Sequence, residues 1–109
     1  MKKILVLGIV AMTIAALSAR AEDAKTIYNK SCAMCHGEDG KGQTMMGRRL
    51  GIKDFTDAKV QANLKDDAMT KAIKEGMKDA DGKTLMKPFD SLSADDIKGL
   101  VAYIRTFKK

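Results

Sequence analysis

Cys32-Ala33-Met34-Cys35-His36 contains both cysteines and the single histidine of the 109-residue chain. Two thiols and one imidazole within five consecutive positions form a constellation rather than a scatter. A disulfide between Cys32 and Cys35 would close a tiny ring and constrain little of the chain. A thioredoxin-like dithiol pair normally sits beside a βαβ pattern, and no segment here alternates apolar and polar residues as a strand does. Zinc asks for four ligands, and with no second cysteine pair and no second histidine a carboxylate would have to complete the set.

The spacing instead fits C-x-x-C-H, the motif through which a c-type haem is attached. Two intervening residues let both thiols reach the two vinyl groups on one porphyrin edge. The histidine that follows directly then lies under the iron as its proximal ligand. Cys32 and Cys35 are therefore the candidate attachment residues and His36 the candidate iron ligand. Composition agrees: no Trp, one Pro and 5% aromatic residues are few large core side chains. Something other than side chains is expected to fill the middle of so small a domain. With 45% apolar and 31% charged residues the chain is neither a disordered tail nor a polytopic membrane protein.

Upstream of the motif, Met1-Lys2-Lys3 is a short basic start, Ile4 to Leu17 carries no charge, and Ser18-Ala19-Arg20-Ala21 ends in small residues at alternate positions. This reads as a secretory signal peptide over 1–21, cut after Ala21, with one domain over 22–109. The apolar run is shorter than the roughly 18–20 residues that span a bilayer comfortably, so no stable membrane insertion is expected. No cysteine near the cut offers a lipid anchor, and no twin-arginine pair precedes the run, so the chain is expected to be exported unfolded to the periplasm. Without Lys2, Lys3 and Arg20 the net charge falls from +6 to +3, with 17 basic against 14 acidic residues. No basic stripe accompanies so mild a balance, which argues against nucleic acid as a partner.

Downstream, five of the nine glycines fall in Gly37–Gly51, a density that predicts a tightly turning loop. Helices are predicted from Asp23, as N-cap, to about Cys32, over a short stretch from Asp57 to Ala62, and from a cap at Asp66 or Asp67 to Gly76. Lys78 to Leu92 reads as irregular. Ser93-Ala94-Asp95-Asp96 resembles a capping box, and Ile97, Leu100, Val101, Ile104 and Phe107 then recur at helical spacing. Arg105, Lys108 and Lys109 close that helix at the negative end of its dipole. The fold class expected from these segments is all-α.

A haem iron held by His36 has a sixth position, for which methionines are the candidates. Met34 is confined within the motif, and Met69 lies on an apolar helix face where methionine is usually core filler. Met45, Met46, Met77 and Met86 all lie in loops, and spacing alone does not choose among them. Asp79-Ala80-Asp81-Gly82 suggests a calcium loop. Aligning Gly82 with the sixth loop position puts Met77 first and Pro88 twelfth, where an EF-hand needs oxygen ligands.

Taken together, these segments resemble the small monohaem class I cytochromes c of bacteria over essentially all of Asp23–Lys109. Ile27-Tyr28, Cys32–Gly37 and Gly40-Lys41-Gly42 are similar to that family's first helix and haem-binding turn. Leu85-Met86-Lys87-Pro88-Phe89, Leu92-Ser93 and Ile97…Leu100-Val101-Ala102-Tyr103-Ile104-Arg105 are similar to its methionine loop and last helix. The resemblance implies three to four helices wrapped around one covalently attached haem c, with Met86 as the sixth iron ligand. It also implies terminal helices that cross near a right angle, Ala24 and Tyr28 against Leu100 and Tyr103, with Gly99 easing the approach. Two departures stand out. Lys87, rather than Pro, follows Met86, and Met45–Gly51 lacks the Pro whose carbonyl usually accepts the proximal histidine N–H, so the backbone partner of His36 is left open.

His plus Met raises the reduction potential, because a neutral soft thioether favours ferrous iron, and it leaves no open position for dioxygen or peroxide. The expected function is a soluble, monomeric, periplasmic one-electron carrier between redox partner proteins, not an enzyme. Arg48 or Arg49 could pair with a haem propionate, and Lys41, Lys83 and Lys87 could ring an exposed haem edge and steer an acidic partner. The alternatives are a haem sensor or peroxidase-like enzyme with a labile sixth ligand, and a haem-free dithiol oxidoreductase.

Overall fold

Six helical segments and one short hairpin make up residues 23–109, the part of the chain that the computed structural model describes. The signal peptide expected over 1–21 and its cut after Ala21 lie outside the described residues. Helix α1 covers 23–31 and is followed at once by α2, Ala33–His36. Three helices come next: α3 (Met45–Leu50), α4 (Ala58–Asn63) and α5 (Asp66–Glu75). Strands β1 (Met77–Lys78) and β2 (Thr84–Met86) pair antiparallel, and α6 (Ala94–Arg105) closes the fold. No helix among the described residues is long and apolar enough to cross a membrane.

Helix α6 forms where its capping box and apolar spacing require. The Ser93 hydroxyl accepts from the Asp96 N–H at 3.0 Å, and the Asp96 carboxylate accepts from the Ser93 N–H at 3.1 Å. Those two bonds satisfy donors that a bare helix end would leave open. Ile97, Leu100, Val101 and Ile104 are buried on one face, joined in the core by Tyr28, Phe55, Met69 and Ile73. Tyr28 and Leu100 are the large side chains most completely withdrawn from water. Each such burial contributes roughly 1.5–3 kcal/mol.

Helix α1 meets the end of α6 and the residues after it through aromatic rings. Tyr28 of α1 stands 5.3 Å from Tyr103 and 5.2 Å from Phe107, which are themselves 5.2 Å apart at a near-perpendicular angle. Tilted and edge-on pairs at such distances are favoured by the ring quadrupoles. The expected meeting of Tyr28 with Tyr103 is present, and Ala24 is buried.

Several local expectations are corrected. Asp23 is already helical, so it is not the N-cap of α1. The glycine-rich stretch is not all loop: Thr44 caps α3, its hydroxyl accepting from the Gly47 N–H at 2.8 Å. Helix α5 starts from Lys65, with Asp66 and Asp67 in its first turn, where carboxylates suit the dipole without acting as caps. Lys78–Leu92 is not wholly irregular, because β1 and β2 set Met77 opposite Met86. Asp79–Gly82 is the turn of that hairpin: the Asp79 carboxylate accepts from the N–H groups of Asp81 and Lys83, both at 2.9 Å, and Gly82 has φ +82°. Its acidic residues serve the turn, in keeping with the failed calcium alignment. The fold is nonetheless mostly helical, as expected, with six short or medium helical segments among the described residues.

Candidate haem site

The turn that carries His36 is held at three successive carbonyls. The Thr44 hydroxyl donates to the Cys35 carbonyl, the Gly42 N–H to that of His36, and the Tyr28 hydroxyl to that of Gly37, each at 2.7 Å. Gly47 lets α3 press against this turn, since a Cβ there would overlap the Gly42 carbonyl and stand 2.7 Å from the Cys35 carbonyl. Burial raises the Tyr28 phenol well above its ordinary range, so it stays a donor.

His36 lies on the wall of a cavity of about 430 Å³. The other walls are mainly apolar: Leu50, Ile52, Phe55, Leu64, Met69, Ile73, Met77, Leu85, Met86 and Ile104 among them. Burial lowers the imidazole pKa below its usual value, favouring the neutral ring that binds metals. Its Nδ1 is buried without a hydrogen-bond partner among the described residues. Among the described residues no carbonyl takes the place of the missing proline carbonyl. The Phe55 ring stacks on the imidazole instead, at 4.9 Å and 16°.

Met86 reaches the same cavity from the hairpin. Gly76, with φ +77°, lies so close under it that a Cβ would stand 2.6 Å from the Met86 carbonyl oxygen. The Phe89 N–H donates to the Ile73 carbonyl at 2.9 Å, tying the segment after Met86 to α5. Of the other loop methionines only Met77 lines the cavity; Met45 and Met46 are exposed on α3 away from it, and Met69 is buried in its wall. Arg48 and Arg49 are exposed and do not line the cavity, nor do Lys41, Lys83 and Lys87. The cation on its rim is Lys53, unmarked in the sequence because nothing local distinguishes it from other surface lysines.

Cys32 and Cys35 are free and half-buried, on the turn beside His36 and not on the cavity wall itself. Burial first, and the neighbouring Cys35 second, push the Cys32 thiol up to about 11. A dithiol exchange centre needs the opposite, a lowered thiol pKa. Among the described residues no group of three or more His, Cys, Asp or Glu could hold a metal ion, so the zinc alternative has no ligand set. The donor types fit a haem: apolar walls for the macrocycle, a neutral imidazole and a thioether on one cavity, and two thiols beside the imidazole.

Comparison with known proteins points the same way. The cytochrome c family profile matches residues 21–108. The chain is 32% identical over 84 residues to cytochrome c-554(547) of Halothiobacillus neapolitanus, covering 77% of this chain and 92% of that protein. A local match, 44% identical over 34 residues, links 31% of this chain to 12% of the CcoP subunit of a cbb3-type cytochrome c oxidase from Azospirillum brasilense. The solved structure of the c-type cytochrome KustC0563 superposes with a TM-score of 0.67 at 35% identity, covering 80% of this chain and 99% of that one. A point mutant of the same cytochrome gives a TM-score of 0.64 at 33% identity.

Proposed function

Since the chain belongs to the cytochrome c family, whose members hold haem c covalently and transfer electrons, we propose that it is a periplasmic one-electron carrier in which Cys32 and Cys35 bind the haem and His36 and Met86 are the axial ligands. It passes electrons between redox partner proteins and has no substrate of its own. The observation that carries this reading is that His36 and Met86 line the same largely apolar cavity.

Bound haem supplies a one-electron Fe(III)/Fe(II) couple, whose potential a Met/His ligand pair raises. The chain's residues do the rest. Cys32 and Cys35, three positions apart on the turn beside His36, anchor the group. His36 and Met86, which line one cavity, would hold the iron between an imidazole and a thioether and would leave no place there for a small-molecule substrate. Leu50, Ile52, Leu64, Ile73, Leu85 and Ile104 line the cavity and would keep water from the bound group, which would favour its reduced state, with its lower charge. The exposed Lys83 and Lys87 flank the Met86 strand and favour an acidic partner on that side.

The test is a visible spectrum of the full chain, expressed with the haem-attachment machinery and recorded oxidised and reduced. Covalent haem with the weak far-red ferric band of Met–iron charge transfer is the expected result. Covalent haem without that band would remove Met86 from the ligand set and favour a sensor or peroxidase-like role. A haem-free product would overturn the proposal.

A further inference from the structure

A histidine that holds a metal almost always donates its other ring N–H to a carboxylate, a carbonyl or a water, which fixes the plane of the ring. His36 departs from that rule: its Nδ1 is buried and bonded to nothing among the described residues. The plane of the ring is nevertheless defined, because the Phe55 ring lies 4.9 Å away and within 16° of parallel.

Phe55 is itself unusually well fixed for a residue outside any helix. Its N–H donates to the Gly40 carbonyl at 2.8 Å, and its carbonyl accepts from the Gln61 side-chain amide at 2.7 Å. Gln61 is the only buried polar residue among those described. The same amide donates to the Ile104 carbonyl at 3.0 Å, and its oxygen accepts from Arg105 Nη1 at 2.9 Å. Arg105 also donates to the Gln61 carbonyl at 2.8 Å, to the Leu64 carbonyl, and to the Asp66 carboxylate at 2.7 Å. A buried amide that satisfies three partners rigidifies the groups it joins.

We propose that Phe55 is the positioning residue for the His36 imidazole, its stacked ring setting the plane that a hydrogen bond to Nδ1 would otherwise set, with Gln61 and Arg105 holding Phe55 in place. The proposal rests on His36 being an axial ligand, as argued above. It makes the orientation of the imidazole depend on a chain of contacts that runs to the C-terminal end of α6.

The test uses the full-length holoprotein and its Phe55→Leu variant, which keeps apolar bulk and loses the flat face. The readout is the hyperfine-shifted NMR pattern of the ferric protein, which depends on the plane of the axial imidazole. Phe55→Leu should move the His36 ring and haem methyl resonances while the far-red band of methionine ligation stays. A folded variant with an unchanged pattern would overturn the proposal, since a merely structural Phe55 would lower the melting temperature and leave the pattern alone. Should the variant fail to fold, nuclear Overhauser contacts between the Phe55 and His36 rings in the reduced wild type decide: their presence supports the stack and their absence overturns it. Wild-type ferric protein without hyperfine-shifted His36 resonances would sink the ligand assignment itself, and this proposal with it.

Discussion

Gly76 lies directly under the Met86 carbonyl: a Cβ added there would stand 2.6 Å from that oxygen and 2.9 Å from the Pro88 nitrogen. A single glycine at the C-terminal end of α5 thus sets the height at which the Met86 segment crosses the cavity. Gly76→Ala meets two costs, a φ of +77° and backbone overlap, together on the order of 1–3 kcal/mol. The expected outcome is a lower melting temperature together with a weakened far-red ferric band. An alanine variant that keeps the full band would show that the Met86 position does not depend on this contact.

Met86 and Met77 face each other across the hairpin and both line the cavity. Only Met86 is proposed as a ligand, so the two should respond differently to substitution. Met86→Ala is expected to abolish the far-red band and lower the reduction potential, because the neutral thioether is lost. Met77→Leu should preserve both. Potentiometric titration of the two variants beside the wild type checks the assignment, and a reversed pattern would move the ligand to Met77.

Tyr28→Phe removes one of two bonds to the Gly37 carbonyl, which keeps the Gly40 N–H at 3.1 Å, at a cost of about 0.5–1.5 kcal/mol. For a domain of this size each kcal/mol corresponds to roughly 4–8 °C in melting temperature. The pH dependence has a definite sign. The folded protein raises the Tyr28 pKa through burial, so the unfolded chain loses that proton first, above about pH 10. The contribution of Tyr28 is complete below that pH and is lost as the pH rises further. The stability gap between wild type and Tyr28→Phe should therefore narrow in alkali, and calorimetry at pH 7 and at higher pH would reveal a gap that instead stays constant.

Arg105→Ala withdraws the guanidinium from Gln61, Leu64 and Asp66 together. The ion pair with Asp66 is largely solvent-exposed and contributes little. The loss comes from the Gln61 and Leu64 oxygens, and about 1–3 kcal/mol of destabilisation is expected. Asp66→Asn should cost far less. Denaturant melts of the two variants distinguish a backbone-carbonyl anchor from a salt bridge, and equal losses would reverse that ranking.

Much of the site was legible because its elements are local. Cys32, Cys35 and His36 declare themselves by spacing alone, and α6 by a capping box and five apolar residues at helical spacing. Other parts were hidden for identifiable reasons. Strands of two and three residues are too short to show alternation, so the hairpin that carries Met86 leaves no periodic trace. Thr44 offered a cap signal for α3 that was masked by the surrounding glycines. Phe55, Gln61 and Arg105 are joined by contacts between distant parts of the chain, and no window of sequence contains them. Arg48 and Arg49 drew attention as a charged pair, yet their helix turns them to solvent, while the unremarkable Lys53 reaches the cavity rim.

The ring cluster of Tyr28, Tyr103 and Phe107 also imposes an order in time. Synthesis runs from the N-terminus, so Tyr28 and the neighbouring thiols are made long before the rings that bury Tyr28 exist. The partners that press α1 into the core arrive only with residues 103–107. Through that interval Cys32 and Cys35 belong to an open chain, without the burial that raises the Cys32 thiol pKa in the folded protein. Tyr103 and Phe107 thus act as a late clasp: α1 gains the ring contacts that bury Tyr28 only once the end of α6 is in place.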